Sequence, residues 1–136
     1  YPGPACSVRF GGIYGRGKSR LVTRLQGGEI CPSTPVMISN RIHHIDCCYI
    51  FIHLLQLHKA GRALKTIYLA VDNQPTPLFE VMQWLAKKNK ISLESLKQGQ
   101  ALGRGGNKRC LNKRLLDTGF NLQYPSFKEG FSDKQF

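Results

Sequence analysis

The run Thr66–Val71, Thr-Ile-Tyr-Leu-Ala-Val, constrains the fold more than any other segment. It is apolar along its length and flanked by polar residues, so both of its faces ask to be covered. That is the situation of a strand inside a parallel sheet with helices on each side. Asp72-Asn73-Gln74-Pro75 then reads as a turn. Thr76 is a good N-cap with Pro77 at the first helical position, and Leu78, Val81, Met82 and Leu85 follow at helical spacing. Trp84 falls at the edge of that stripe. Ser7–Phe10 reads as a second strand, with Val8 and Phe10 apolar. Two buried parallel strands need neighbours on the same sheet, which points to missing sheet supplied by more chain or by a partner.

The segments between these strands favour helices and loops. A glycine turn through Gly11, Gly12, Gly15 and Gly17 leads into a helix over Lys18–Leu25 with Leu21, Val22 and Leu25 on one face, stopped at Gly27-Gly28. Glu29–Asn40, with Pro32 and Pro35, reads as a loop with short extended pieces. Arg41–Ile45 is extended. Asp46 is placed to cap a helix over Cys47–Lys59, apolar nearly all round and so expected to be buried on several sides, with Gly61 as its stop. Lys90–Gly106 is the least structured stretch. Asn107 is placed to cap a helix carrying Leu111, Leu115 and Leu116 that ends at Gly119, and Phe120, Leu122 and Tyr124 alternate as in a strand. The order of elements gives an α/β fold with parallel strands.

Composition excludes several classes. With 136 residues, 41% hydrophobic and 21% charged, the chain fits one globular domain rather than a disordered segment. Its longest apolar-rich stretch, Cys47–Leu57, is too short for a membrane span of about 20 residues. The opening Tyr-Pro-Gly-Pro has neither the basic nor the apolar part of a secretory leader, and a start at Tyr1 rather than Met leads us to expect a fragment of something longer. Five cysteines, an odd number with no C-x-x-C, suggest neither a disulfide framework nor a zinc site. Reduced thiols in the cytoplasm are the expectation. The net charge of +12 raises nucleic acid as a partner. The basic residues cluster at Arg16–Arg24, Lys87–Lys90 and Arg104–Arg114 without a zinc-finger spacing or an aromatic RNA-binding signature, which reads as a solvated basic surface. A basic nucleic-acid-binding module stays as an alternative.

The segment Gly12-Ile-Tyr-Gly-Arg-Gly17-Lys18-Ser19 matches G-x-x-x-x-G-K-[ST] letter for letter, after a strand and before a helix. In a P-loop the backbone amides hold phosphates, the lysine reaches the terminal phosphates and the hydroxyl binds Mg²⁺. A P-loop nucleotide-binding protein using Gly12–Ser19 is therefore an alternative.

Five segments in order carry a different resemblance over nearly the whole chain: Arg9-Phe-Gly-Gly-Ile-Tyr-Gly-Arg-Gly17, Arg41-Ile-His-His-Ile-Asp46, Ile67–Asp72 with Gln74-Pro-Thr-Pro-Leu78, Asn107–Leu115, and Gly119-Phe120 with Tyr124-Pro-Ser-Phe-Lys-Glu-Gly130. They are similar to R-x-x-G-I-Y-G, R-I-H-V-D-D, the Asp-bearing strand with its proline turn, K-R-V-S-N-A-R-L and Y-P-S-Y-R-E-G of the extended short-chain dehydrogenase/reductases, the NAD-dependent epimerase/dehydratase family. The chain resembles the C-terminal portion of that family.

The resemblance implies a Rossmann-type fold with few parallel strands and a small, mostly helical substrate lobe. Residues 1–136 would form one substrate-side domain, 1–26 contributing a strand-turn-helix of the Rossmann sheet and 27–136 the lobe with one returning strand. The family's pyrophosphate-binding glycine turn and its Ser/Thr, Tyr-x-x-x-Lys set precede the R-x-x-G-I-Y-G strand. Tyr1 is not that tyrosine, because Ala5 stands where the lysine belongs, so no catalytic residue is assigned. Gly11, Gly12, Ile13 and Tyr14 would line the nicotinamide end of NAD or NADP. Arg41, His43, Arg109 and Asn112 would face a small anionic or nucleotide-sugar substrate, with Arg41 suited to a bidentate grip on phosphate or carboxylate. His43 and His44 should point to opposite faces and so not share a metal; no metal site is expected. The parent activity would be epimerisation, dehydration or reduction. The chain alone should be inactive, and its partners would be an N-terminal Rossmann half or further copies in a homo-oligomer. Thermal unfolding with added ligands separates these readings: we expect no rise in melting temperature with ATP and Mg²⁺, whereas a rise with ATP–Mg²⁺ alone would mark a working P-loop.

Overall fold

The computed structural model describes residues 5–17, 19–100 and 107–132. In chain order the elements are strands β1 (Ser7–Phe10) and β2 (Gly12–Tyr14), helix α1 (Arg20–Gln26), strands β3 (Glu29–Ile30), β4 (Ile38–Ser39) and β5 (Arg41–His43), helix α2 (His44–Lys59), strands β6 (Ile67–Ala70) and β7 (Thr76–Pro77), helix α3 (Leu78–Lys88), a 3-10 turn at Leu93–Ser95, strand β8 (Lys97–Gln98), and helices α4 (Lys113–Leu116) and α5 (Phe127–Ser132). They fall into two compact units that alternate along the chain. The first holds residues 1–15, 40–74 and 110–136, and the second holds 16–39 and 75–109.

The first unit is organised by two parallel strand pairs. β1 runs beside β6, with Ser7 opposite Ile67 and Phe10 opposite Ala70. β2 runs beside β5, with Gly12 opposite Arg41 and Tyr14 opposite His43. The changeover lies at one peptide: the Gly11 amide donates to the Ala70 carbonyl at 3.0 Å and the Gly12 amide to that of Asn40 at 2.8 Å. A Cβ at Gly11 would stand 2.7 Å from the Asn40 oxygen and 2.9 Å from Val71 Cγ1, so only glycine lets the strand pass. Beneath the strands, Ile42, Cys47, Ile50, Leu54, Tyr68, Ala70, Leu115 and Phe120 form the core, joined at its margin by Val8, Phe10 and Leu122. Tyr68 and Ala70 are buried while Ile67 and Leu69 are half-buried, as for a strand covered on one face more fully than the other.

The second unit packs α1 on α3, with Leu25, Ile30, Cys31, Ile38, Leu78, Val81, Met82 and Leu85 buried. The Cys31 amide points at the Met82 sulfur, 3.4 Å away. β3 pairs parallel with β8 and β4 antiparallel with β7, so the stretch 29–40 has its short extended pieces, and the weakly patterned stretch after Lys90 carries a strand too. Residues 101–106 lie outside those described.

Several local expectations give way. α2 begins at His44, and Asp46 sits inside its first turn rather than capping it. Its carboxylate accepts the amides of Gln123 and Tyr124 at 2.8 and 3.1 Å instead. With Asp46 so engaged, Phe120–Tyr124 forms no strand. α2 is buried along Asp46, Cys47, Ile50 and Leu54; Tyr49, Phe51, Ile52 and Leu55 are exposed. At α3 the N-cap is Pro77, because Thr76 is drawn into β7 against Ser39. The helix expected from Asn107 shrinks to α4, and Leu111, expected on its apolar face, is 72% exposed. Gly11→Ala should lower unfolding free energy by about 1–3 kcal/mol, the range for forcing atoms into a packed site. Chemical denaturation measures this, and an unchanged midpoint would contradict the close approach.

Candidate functional site

The ends of β2 and β5 bring together three of the residues singled out by sequence: Tyr14, Arg41 and His43, all buried. His43 caps α2, its Nδ1 accepting from the Ile45 amide at 3.4 Å. Its ring lies 3.8 Å from that of Tyr124 and 5.2 Å from that of Tyr14, centroid to centroid. His44 is not on the opposite face, as alternation in a strand would have it. The backbone turns into helix at that residue, and the two imidazoles lie 4.6 Å apart. Among the described residues no three His, Cys, Asp or Glu are grouped to hold a metal, and no helix is long and apolar enough to cross a membrane.

Arg41 is the unusual member. It is 3% exposed, and Nε, Nη1 and Nη2 have no hydrogen-bond partner among the described residues. The guanidinium instead lies over the Phe127 ring, 5.0 Å from its centroid. Burial lowers its pKa, against the attraction of Asp72. Asp72 is itself 1% exposed; its Oδ1 accepts from the Gln74 amide at 3.0 Å, and its Oδ2 has no partner among the described residues. Burial raises the Asp72 carboxyl to about 6, and Arg41 moderates the rise. The Tyr14 hydroxyl is also pushed up by burial, then by Asp72; it donates to the Ser126 carbonyl at 3.4 Å.

The remaining assigned residues take other places. Of the four residues read as lining the cofactor, only Gly12 and Ile13 are exposed, with Ile13 at 48%. Gly11 is glycine because Asn40 and Val71 crowd it. The Asn112 amide donates to the Val71 carbonyl at 2.9 Å and to Asn73 Oδ1 at 2.8 Å, fastening the loop that carries Asp72. Arg109 belongs to the second unit, where it donates to the Pro75 carbonyl at 2.9 Å. Sequence reading missed Asp72, Tyr124 and Phe127 as builders of this site. The signal for Asp72 was present: an acid directly after an apolar strand starts out buried.

The Walker-like turn does not fold as a phosphate cradle. Gly12–Tyr14 is laddered against Arg41–His43, whereas a P-loop presents that stretch as free amides. The Ser19 hydroxyl accepts from the Val22 amide at 3.3 Å and caps α1. Lys18 lies outside the described residues. Tyr14 and Lys18 share the spacing of Tyr-x-x-x-Lys, but Tyr14 ends a strand, and its hydroxyl is buried against Ser126.

No family model and no curated protein sequence matches the chain. Solved structures do. One described as an NAD-dependent epimerase/dehydratase from Methylobacillus flagellatus shares 32% identity with a TM-score of 0.76, covering 93% of this chain and 44% of that one. The chain shares its fold with the C-terminal portion of the NAD-dependent epimerase/dehydratases. A dTDP-glucose 4,6-dehydratase from Bacillus anthracis in complex with NAD aligns at a TM-score of 0.71 and 16% identity, covering 94% of this chain and 42% of that one. A human epimerase family protein with NADPH aligns at 0.69 and 17%, covering 90% and 45%. The chain thus spans less than half the length of these epimerase/dehydratase relatives.

The Asp72 carboxyl gives this site a pH signature. Its folded pKa of about 6 lies above the ordinary 3.8. Its contribution to stability is therefore fully present below about pH 4 and is lost as pH rises through 6. Unfolding measured across pH 4–8 should show wild type losing stability relative to Asp72→Asn up to about pH 7; parallel curves would show that the carboxyl is not so perturbed.

Proposed function

We propose that this chain is the C-terminal, substrate-binding portion of an NAD(P)-dependent epimerase/dehydratase-like oxidoreductase, inactive alone and completed by an N-terminal Rossmann half. The observation that carries the reading is the open sheet. Among the described residues β1 pairs with β6 alone, so its other edge is free. Ser7 and Gly11 direct their amides to β6, and since amides alternate along a strand, those of Val8 and Phe10 face the free edge. Beside it, the Phe10 ring meets half-exposed Phe51 on α2, 5.4 Å between centroids. An unpaired edge flanked by aromatic surface calls for another strand and its covering helix. The share of the relatives' length that this chain spans, 44% for the Methylobacillus protein, supports the same conclusion.

In the completed protein Gly12 and Ile13 would stand at the nicotinamide end of NAD or NADP, where a glycine lets a ligand come close. The bound cofactor would accept or donate hydride. A Cβ at Gly12 would have no neighbour nearer than 3.6 Å, so this edge has room for a ligand. The family's G-x-x-G-x-x-G turn does not occur in the chain, so the pyrophosphate would be held by the other half. Arg41 and His43 would serve the substrate, a small anionic or nucleotide-linked sugar. Asn112 would act by holding the Asp72 loop. A cytoplasmic setting suits five free cysteines.

The test is complementation. Mixed with the N-terminal Rossmann half of the Methylobacillus protein, the chain should form a complex that binds NADPH, while the chain alone should show no NADPH-dependent thermal shift. Val8→Pro removes one free-edge amide without touching the β1–β6 ladder and should weaken association by about tenfold. NADPH binding by the isolated chain, or association indifferent to Val8→Pro, would overturn the reading.

A further inference from the structure

The residues that the site brings together are covered rather than open. Tyr14, Arg41 and His43 are each less than 5% exposed, and the covering side chains come from the segment 123–132. Tyr124 lies on His43, Phe127 on the Arg41 guanidinium, and Phe131 stacks on Tyr14 at 4.5 Å. Gly130 completes the fit, since a Cβ there would fall on the Tyr14 ring. We propose that residues 123–132 form a strap that masks Arg41 and lifts to uncover it, with the Asp46 carboxylate as its latch. The proposal rests on the reading of Arg41 as a ligand-facing group and adds how it is reached.

Two observations favour a movable cover over a permanent one. The first is the state of the guanidinium. A planar cation with its donors unbonded and one ring face against it is poorly satisfied in the interior. The closed state therefore carries a penalty that water or an oxyanion with two acceptor oxygens would relieve on opening. The second is how the strap is attached. Its entry is held by side-chain acceptance, Asp46 taking the amides of Gln123 and Tyr124. Beyond that come the Asn73 amide to the Pro125 carbonyl at 2.9 Å and the Tyr14 hydroxyl to the Ser126 carbonyl. No described residue of the strap belongs to a strand ladder. Ser126 and Glu129 bond one another within the strap, so it can move as a unit. Asp46 lies in the first turn of α2, so the latch is carried by a rigid element and the strap by a separate one.

Arginine-directed labelling with phenylglyoxal, read residue by residue by mass spectrometry, tests this on the chain as it is. In wild type Arg41 should label far more slowly than exposed Arg9 and Arg62. In Asp46→Asn, where only one carbonyl oxygen is left to accept, and in Phe127→Ala, Arg41 should label about tenfold faster, with Arg9 and Arg62 unchanged. Hydrogen exchange should rise in the same variants at Gln123 and Tyr124 but not at the β1–β6 ladder. Arg41 labelling unchanged in both variants would overturn the strap. So would labelling that rises only together with exchange of the β1–β6 amides, because that is unfolding of the whole unit. Inorganic phosphate added to Asp46→Asn should slow Arg41 labelling again. Faster labelling without that protection would leave the strap standing and remove the reading of Arg41 as an oxyanion group.

Discussion

The first unit depends on one close approach, that of Gly11 to the Asn40 carbonyl. Here a single extended segment changes partner, leaving β6 for β5 within two residues. Without a side chain in the way, the backbone can donate to Ala70 from one residue and to Asn40 from the next. Everything in the site follows from that exchange. It sets Tyr14 opposite His43 and puts Arg41 level with Gly12. The Asp72 amide then bonds back to the Arg41 carbonyl at 2.6 Å, so the two charged residues are fixed to one another through the main chain before their side chains are considered.

That arrangement buries charge where the chain cannot wholly satisfy it. Asp46 is buried and answered by two amides, which oppose the upward pull of burial on its carboxyl. Asp72 has one amide and Arg41 at a distance, and its carboxyl rises further, to about 6. Arg41 has an aromatic face and, among the described residues, no acceptor. This gradation separates a carboxylate answered by two amides from groups whose hydrogen-bonding capacity is less fully met. The same unit leaves apolar surface uncovered on α2, next to the free edge of β1. Among the described residues the unpaired strand edge and the exposed apolar surface thus lie together.

Local reading failed wherever a side chain had a remote partner. Asp46 at the head of an apolar helix has the look of a cap, yet its partners are Gln123 and Tyr124, far along the chain. Phe120, Leu122 and Tyr124 alternate like a strand, but among the described residues no strand pairs with them, and Phe120 joins Leu115 in the core. Asn112 donates to Val71 and Asn73, partners that its own segment does not reveal. The P-loop pattern failed for the same reason: eight letters do not reveal that Arg41–His43 will occupy the strand edge beside Gly12–Tyr14.

The sequence by itself determined the parallel α/β character, the strands at Ser7 and Ile67 and the apolar stripe of α3. These rest on periodicity and apolar content, which each segment carries within itself. It also carried the family resemblance, through short motifs in a fixed order. Only the tertiary structure decided that Arg41 is buried under Phe127, that Asp72 is its neighbour and that Asp46 holds the closing segment. Burial and pairing of charge are set by residues 30 to 90 positions apart meeting in space, and no local pattern encodes that meeting.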